Sequence, residues 1–262
     1  MLDDTASRND DALVSALAWA VAEGQLALRY QPKFDLFRRR ITGVEALVRW
    51  PRSSGAEILP AVFIPIAEAA GLIQPLGAWV LRQACQQAAA WNRMGLDLSV
   101  AVNVSPLQLA PGAGLEALVA QTLAESGLHR SKLELEITEG VLMEATARAA
   151  VNRLMDDGIA IALDDFGTGY SSLAYLRQLR AKSLKIDKSF LDGLPASLDD
   201  CILVGSMIRL AHGFGMEVVA EGVESPEQQE VLELMGCDII QGYTLSRPIT
   251  ADEVPRLVKS CR

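Results

Sequence analysis

The sequence predicts an α/β fold, specifically a TIM-like (β/α)8 barrel whose first strand is antiparallel. Eight short β-type segments alternate with longer helical patterns, which is typical of a parallel sheet covered by helices. The chain has 262 residues, half of them hydrophobic, and barrels of about 250 residues commonly form one domain. We therefore expect one folded domain over residues 11–262. Residues 1–10 are polar and aperiodic, so we expect a disordered terminus or linker remnant there.

The order of elements follows from the hydrophobic pattern. Strands are predicted near residues 26–31, 41–49, 98–104, 132–138, 159–164, 182–187, 216–221 and 238–241. Helices are predicted over residues 60–70, 75–94, 114–126, 141–157, 171–179, 199–213 and 225–235. Several of the helical segments begin with Pro or Ser and end with Gly.

The connection between the first two strands differs from the others. Residues 34–40 are too few for a helix that crosses between parallel strands, so these strands should form an antiparallel hairpin. Three arginines, residues 38–40, fall at its turn. A solvated loop tip is the favoured role for them, and attraction of a phosphate is the alternative.

Composition excludes several classes of partner. The net charge of −9 and the pI near 4.8 argue against binding of a nucleic-acid polymer or an anionic membrane, because such surfaces are basic. The four cysteines form no CxxC pair, which favours thiols in a reducing compartment. The apolar stretch over residues 12–22 is shorter than the roughly 20 residues of a membrane span. We therefore expect a cytoplasmic location and no membrane contact by this domain.

Polar side chains stand at or near the end of seven predicted strands. They are Glu45, Asn103, Glu136, Asp164 with Asp165, Lys185 with Asp187, Glu221 and Gln241. Because strand ends converge at one face of a barrel, and unpaired buried charges are costly, a chance arrangement of this kind is improbable. We therefore expect an active site there, although any single carboxylate could instead cap a helix or pair with Lys or Arg.

The charge of this set indicates bound metal. Five of its carboxylates, at positions 45, 136, 164, 165 and 221, together with its one lysine leave four negative charges, which two divalent cations would cancel. Oxygen ligands favour Mg²⁺ or Mn²⁺. The chain has only two histidines, His129 and His212, so a His-rich zinc site is excluded and both are expected to be structural. Paired metals suit in-line attack on a phosphodiester.

The motifs around these residues closely resemble those of the EAL domain family. The family's name stands in the sequence as Glu45-Ala46-Leu47, within EALVRW. It is followed, in family order, by NVSP from Asn103, ELEITE from Glu134, DDFGTGYSSL from Asp164, KIDKSF from Lys185, AEGVE from Ala220 and QGYTLSRP from Gln241. The resemblance extends from Tyr30 to Ile249. It implies a phosphodiesterase that hydrolyses the bacterial second messenger cyclic di-GMP to linear 5′-pGpG through a metal-activated water. A catalytically silent cyclic di-GMP receptor and a protein-binding scaffold are the alternatives.

The resemblance also implies roles for individual residues. The metal ligands would be Glu45, Asn103, Glu136, Asp164, Asp165 and Glu221. Lys185 would position the attacking water or stabilise developing charge, alongside Glu45, Asp164 and Asp165 as the other catalytic residues. Substrate contacts would come from Gln31, Leu47, Arg49 and Gln241. Glu139 and Glu224 would lie behind the metal ligands and would not bind metal themselves. Glu139 would anchor the loop over residues 164–172. The alternative is that Glu139 only stabilises the start of a helix.

Cofactors and partners follow from the same resemblance. Two divalent cations, Mg²⁺ or Mn²⁺, are expected, and Ca²⁺ is expected to inhibit. The substrate would be cyclic di-GMP. A homodimer is expected, associated with the glycine-rich loop that follows Asp164. Regulation by an attached sensor or receiver domain, outside this sequence, is expected too.

Overall fold

The computed structural model describes residues 3–52, 56–167, 176 and 179–261, and these residues form a closed barrel of eight strands surrounded by helices. The strands are β1 (Ala27–Asp35), β2 (Arg40–Pro51), β4 (Ser99–Asn103), β5 (Leu133–Thr138), β6 (Ala160–Phe166), β7 (Ser183–Ile186), β8 (Glu217–Glu221) and β9 (Ile239–Gln241). A short additional strand, β3 (Glu57–Ile58), pairs with the end of β2. The predicted fold class is confirmed.

Strand β1 closes the barrel. It pairs in antiparallel fashion with both β2 and β9, whereas β2 and β4 to β9 are all parallel to one another. The predicted hairpin is therefore confirmed. We call the end of the barrel at which β2 and β4–β9 finish the carboxyl-end mouth. In the hairpin register Gln31 lies opposite Glu45, so the first half of β1 borders this mouth.

The helices surround the barrel. They are α1 (Asp3–Ala22), α2 (Pro60–Ala69), α3 (Ile73–Arg93), α4 (Leu115–Ser126), α5 (Ala145–Asp156), α6 (Leu198–Gly213), α7 (Pro226–Leu234) and α8 (Val254–Ser260). The start signals in the sequence work as predicted: Pro60 opens α2, and the side chains of Ser197 and Ser225 accept hydrogen bonds from backbone N–H groups at the starts of α6 and α7. No described helix is long and apolar enough to cross a membrane.

Some predicted elements differ from the structure. Helix α1 runs from Asp3 to Ala22. The disordered terminus or linker remnant expected over residues 1–10 and the domain boundary at residue 11 stay predictions. Helices α1 and α8 and strand β3 were not predicted. The helix predicted over residues 171–179 lies outside the described residues, apart from positions 176 and 179.

The barrel wall separates two environments. On β5, Leu133, Leu135 and Ile137 are buried in the apolar core, while the intervening Glu134 and Glu136 are buried too but lie in charged contacts. This alternation follows from the two-residue repeat of a strand. Barrels of this architecture usually fill their centre with branched apolar side chains. Charged groups occupy part of this one, which indicates a functional interior.

Two polar features predicted to be structural have local partners. Arg38 and Arg39 lie at the hairpin turn, more than half exposed, and pair with Asp35 and Glu233 respectively, which favours the loop-tip interpretation. The Nε2 atom of His212 lies 2.8 Å from a carboxylate oxygen of Asp238.

Candidate active site

Lys185 lies at the centre of the charged cluster inside the carboxyl-end mouth. Its Nζ atom is 2.6 Å from Glu136, 2.8 Å from Glu221, 3.1 Å from Asp164 and 3.9 Å from Glu45, measured to carboxylate oxygens. The lysine is only 1% exposed. Four side chains predicted as metal ligands therefore converge on one buried ammonium group.

The carboxylates keep this ammonium group charged. Burial alone would lower the pKa of Lys185, but the nearby carboxylates, Glu136 and Glu45 foremost, outweigh burial and hold the pKa well above its ordinary value. Lys185 is therefore a permanent cation at the pH of a cell, and it cannot act as a general base in this state.

Glu45 is held by two amides. Its Oε1 atom accepts a hydrogen bond of 2.6 Å from Asn103, and its Oε2 atom accepts one of 2.5 Å from Gln241. These residues come from β2, β4 and β9, so the barrel brings together groups that are far apart in sequence. Gln241 also donates to Gln31 on β1, over 3.2 Å. The predicted ring of polar residues is thus continuous on this side of the mouth.

Glu136 has a partner that sequence reasoning missed. Its Oε1 atom accepts a hydrogen bond of 2.7 Å from Lys33 on β1, and its Oε2 atom accepts one of 2.6 Å from Lys185. Lys33 also donates to Glu134 over 2.8 Å. The strand alternation could have identified both, because Lys33 stands two residues after Gln31 and Glu134 stands two residues before Glu136.

The two adjacent aspartates occupy an irregular stretch of β6. Pairing with β7 shifts register between Leu163 and Phe166, and Asp165 has a positive φ of 54°. Asp164 points into the cluster, while Asp165 is more exposed. Burial and the charge of Asp164 raise the pKa of Asp165. Such backbone geometry is uncommon outside glycine and is often found at functional sites.

The carboxylate cluster carries excess negative charge, and its effect is seen in the pKa of Glu221. Burial raises its pKa to about 8, even though the nearby Lys185 lowers it. A divalent cation would offset this charge, and the side chains around it offer only carboxylate and amide oxygens, the donors that Mg²⁺ and Mn²⁺ prefer. Among the described residues no three acidic, His or Cys side chains already surround a metal position; the ammonium group of Lys185 occupies the centre instead. The donor set therefore fits hard divalent cations.

The pKa of Glu221 leads to a prediction for the metal-free protein. A glutamate ionises near pH 4.5 when unfolded and near pH 8 here, so its contribution to stability is full below about pH 4.5 and is lost as the pH rises towards 8. We expect the melting temperature of wild-type protein in EDTA to fall more steeply between pH 5 and pH 8 than that of Glu221→Gln. Saturating Mn²⁺ should remove the difference. Equal slopes in EDTA would contradict the assigned pKa.

An apolar groove adjoins the cluster. It has a volume of about 530 Å³ and extends from Glu45 and Leu47 on β2 to helices α2 and α3, with Pro60, Ile64 and Pro106 among its lining residues. Grooves of this kind beside a few polar groups are typical ligand sites. Leu47, a predicted substrate contact, lines the groove directly.

Arg49, another predicted substrate contact, lies further along β2. Its Nη1 atom donates to the carbonyl of Val48 over 2.9 Å, and its Nε atom is 3.9 Å from Glu57 on β3. The side chain is 13% exposed. The guanidinium group of Arg49 is thus held by Val48 on β2 and Glu57 on β3.

The two predicted supporting carboxylates differ. Glu139 accepts a hydrogen bond of 3.4 Å from the backbone N–H of Gly167, where the glycine-rich loop begins. Residues 168–175 of that loop lie outside the described residues. Glu224 instead pairs with Lys188 over 2.6 Å at an exposed position. Its described contacts thus lie away from the carboxylate cluster.

Replacement of Glu139 tests the anchoring of the loop. If Glu139 holds Gly167 in place, Glu139→Ala should lower turnover and increase amide exchange at residues 166–170, with little change in global melting. If Glu139 only stabilises the start of the short 3₁₀ helix Glu139–Met143, the variant should lose about 0.3–1 kcal/mol of stability and keep its activity. An active variant with unaltered exchange in the loop would end the anchoring hypothesis; Glu144→Ala, on the same connection, is the matched control.

The fold and the site define a (β/α)8-barrel protein with an acidic, all-oxygen site at the carboxyl ends of its strands. A family model described as the EAL domain matches residues 14–248. The chain is 42% identical over 245 residues to the bifunctional diguanylate cyclase/cyclic di-GMP phosphodiesterase MucR of Pseudomonas aeruginosa, covering 92% of this chain and 36% of that protein. It is 38% identical over 241 residues to the signaling protein YkoW of Bacillus subtilis, covering 91% and 30%. The chain belongs to the EAL domain family.

Solved structures agree with this assignment. The PaMucR phosphodiesterase in complex with c-di-GMP superposes with a TM-score of 0.88 at 41% identity, covering 93% of this chain and 99% of that one. The EAL domain of Mycobacterium smegmatis DcpA gives a TM-score of 0.76 at 36% identity, covering 91% and 98%. These two relatives are longer proteins: this chain spans 36% of the length of MucR and 30% of the length of YkoW.

Proposed function

We propose that this chain hydrolyses cyclic di-GMP to linear 5′-pGpG as a phosphodiesterase that depends on two divalent cations, Mg²⁺ or Mn²⁺. The observation that carries the proposal is the convergence of Glu45, Glu136, Asp164 and Glu221 on Lys185, inside the carboxyl-end mouth and beside an open groove. The resemblance to MucR, named as a cyclic di-GMP phosphodiesterase, supports the choice of substrate.

The cluster supplies what a phosphodiester hydrolysis requires. The cations would be held by Glu45, Asn103, Glu136, Asp164, Asp165 and Glu221. When bound, they supply an acidified water and neutralise charge on the phosphate oxygens. The ammonium group of Lys185 donates hydrogen bonds towards the reacting water or the oxygen on which charge develops. Asn103 and Gln241 orient Glu45 by the hydrogen bonds that its two oxygens accept.

The groove suits the apolar faces of a guanine base. Leu47 and Pro106 offer apolar contact beside Glu45. Arg49 and Gln31 lie on the neighbouring strands β2 and β1, where they can form hydrogen bonds to a phosphate or a base edge. The dinucleotide would place one base in the groove and its scissile phosphate over Lys185. Gln241 would complete this contact surface through its bond to Gln31.

A catalytically silent receptor for cyclic di-GMP is the second candidate function. It would need the groove but not the cluster. Two buried and two partly buried carboxylates around one lysine carry a free-energy cost that binding alone does not require, so the cluster favours catalysis. The same reasoning disfavours a scaffold that acts only through protein contacts.

The choice of metal gives a direct test. Mg²⁺ and Mn²⁺ should support turnover, EDTA should abolish it, and Ca²⁺ should inhibit, because its longer bonds and looser coordination misplace the reacting groups. Turnover is measured as nucleotide product after each metal is added to EDTA-treated protein. Robust turnover with Ca²⁺ as the only cation would contradict the proposal, and nucleotide binding without turnover in any metal would favour the receptor.

The wider setting is also a proposal. The curated relatives are longer than this chain, which supports control by an attached sensor or receiver domain in the cytoplasm. A homodimer is supported by the exposed apolar side chains of Leu198 and Ile202, which lie one helical turn apart on α6. Sedimentation of the wild type and of Ile202→Glu tests this pairing.

A further inference from the structure

Lys33 is a buried cation that the predicted roles of the family motifs do not include. It is 5% exposed, and its Nζ atom bonds Glu134 over 2.8 Å and Glu136 over 2.7 Å. Buried lysines are rare unless they are paired. The pairing explains how the charge is tolerated, and the second partner, a predicted metal ligand, suggests what the charge is for.

The two oxygens of Glu136 have different partners. Oε1 faces Lys33 on β1, whereas Oε2 faces Lys185 and the rest of the cluster. Both oxygens accept charged hydrogen bonds, but only Oε2 faces the side of the cluster where Glu45, Asp164 and Glu221 would hold a cation around Lys185. Charged hydrogen bonds of this length are the strong ones, so the carboxylate is held against rotation.

The fold fixes Lys33 in this position. In the hairpin register Lys33 lies opposite Gly43. This pair is two residues further from the carboxyl-end mouth than the pair formed by Gln31 and Glu45. A Cβ atom at Gly43 would overlap the Oγ atom of Ser99 on the next strand. The layer below the cluster is therefore packed without a side chain at Gly43, and Lys33 reaches Glu136 from across the barrel.

We propose that Lys33 is a positioning residue that makes Glu136 a one-oxygen ligand for a divalent cation. This inference rests on the proposed function, because it needs a cation in the cluster. The alternative is that Lys33 serves only as the counter-ion of Glu134. Glu134, however, also has Lys182 at 3.5 Å, so Lys33 is not its only compensating charge.

The alternative role determines the choice of variants. Lys33→Met removes the ammonium group and keeps most of the volume, but it leaves Glu134 less well compensated. The double variant Lys33→Met/Glu134→Gln removes both charges together and tests the role of Lys33 in a charge-balanced interior. Lys182→Met is the matched control, since Lys182 pairs with Glu134 and Glu217 and makes no described contact with Glu136.

Calorimetric titration of EDTA-treated, dialysed protein with Mn²⁺ and with Ca²⁺, without nucleotide, is the deciding experiment. We expect the double variant to bind Mn²⁺ about 10- to 100-fold more weakly than wild type, the loss typical when the group that orients a metal ligand is removed. Ca²⁺ affinity should fall less, because Ca²⁺ accepts carboxylates through two oxygens. Lys182→Met should bind both ions like wild type.

Each other result overturns the inference. Mn²⁺ affinity of the double variant equal to wild type would make Lys33 a counter-ion of Glu134 only, and this would leave the proposed function intact if wild type still hydrolyses cyclic di-GMP. Equal losses for Mn²⁺ and Ca²⁺, or a matching loss in Lys182→Met, would indicate a general effect on the interior. Wild-type protein that binds no Mn²⁺ would remove both the inference and the proposed metal dependence.

Discussion

Glu45→Gln is expected to reduce hydrolysis of cyclic di-GMP by about 10³-fold or more, because metal-assisted catalysis supplies several kcal/mol and each 1.4 kcal/mol is about tenfold in rate. The variant keeps the volume of the side chain but removes the negative charge that Asn103 and Gln241 orient by hydrogen bonds of 2.6 and 2.5 Å. The barrel should stay folded, since its stability resides in the apolar layer beneath the helices.

The control for this variant is Glu125→Gln, an exposed carboxylate on α4 whose side chain bonds Gln121. It should turn over substrate like wild type. Circular dichroism and melting establish that Glu45→Gln is folded before its rate is interpreted. Wild-type turnover by the folded variant would falsify the assignment of Glu45 as a metal ligand.

Lys185→Met is expected to lower the rate at saturating metal by roughly 10²- to 10⁴-fold, the usual contribution of a positioned donor to a charged transition state. The metal-free variant should also be less stable by about 3–5 kcal/mol, as when one partner of a buried ion pair is removed, because Glu136, Glu221 and Asp164 lose the cation between them. Added Mn²⁺ should restore most of that stability but not the rate.

This difference between stability and rate distinguishes the two roles of Lys185. Urea unfolding with EDTA and with Mn²⁺ gives the stability, and turnover per bound metal gives the rate. Lys188→Met is the matched control, since Lys188 is exposed and pairs with Glu224. A Lys185→Met protein that binds metal poorly yet keeps its rate per bound metal would show that Lys185 is a counter-ion for the carboxylates.

The sequence predicted the barrel and most of its mouth because both depend on local patterns. Charged residues at the ends of otherwise apolar strands, such as Glu136 on β5 and Lys185 on β7, are visible without knowledge of pairing. The short connection before β2 likewise indicated the antiparallel β1. Closure of the barrel then brings these charged side chains together at one end.

The residues that sequence reasoning missed depend on register between distant strands. Strand alternation places Lys33 on the same face of β1 as Gln31. Its partners Glu134 and Glu136 lie more than 100 residues away along the chain, and no local pattern predicts that pairing. Glu224, by contrast, was predicted from the sequence to support the site, but its contacts lie elsewhere. It follows Glu221 closely, but the chain leaves β8 at Gly222, whose φ is +67°, and Glu224 then pairs with Lys188.

Nucleotide product analysis tests the central proposal most directly. Purified protein is incubated with cyclic di-GMP in Mn²⁺ or in EDTA, and the nucleotides are separated and quantified. We expect conversion to 5′-pGpG as the main product with Mn²⁺ and unchanged substrate with EDTA. Unchanged cyclic di-GMP in the presence of Mn²⁺, with both metal and nucleotide shown to be bound, would contradict hydrolysis and identify a receptor.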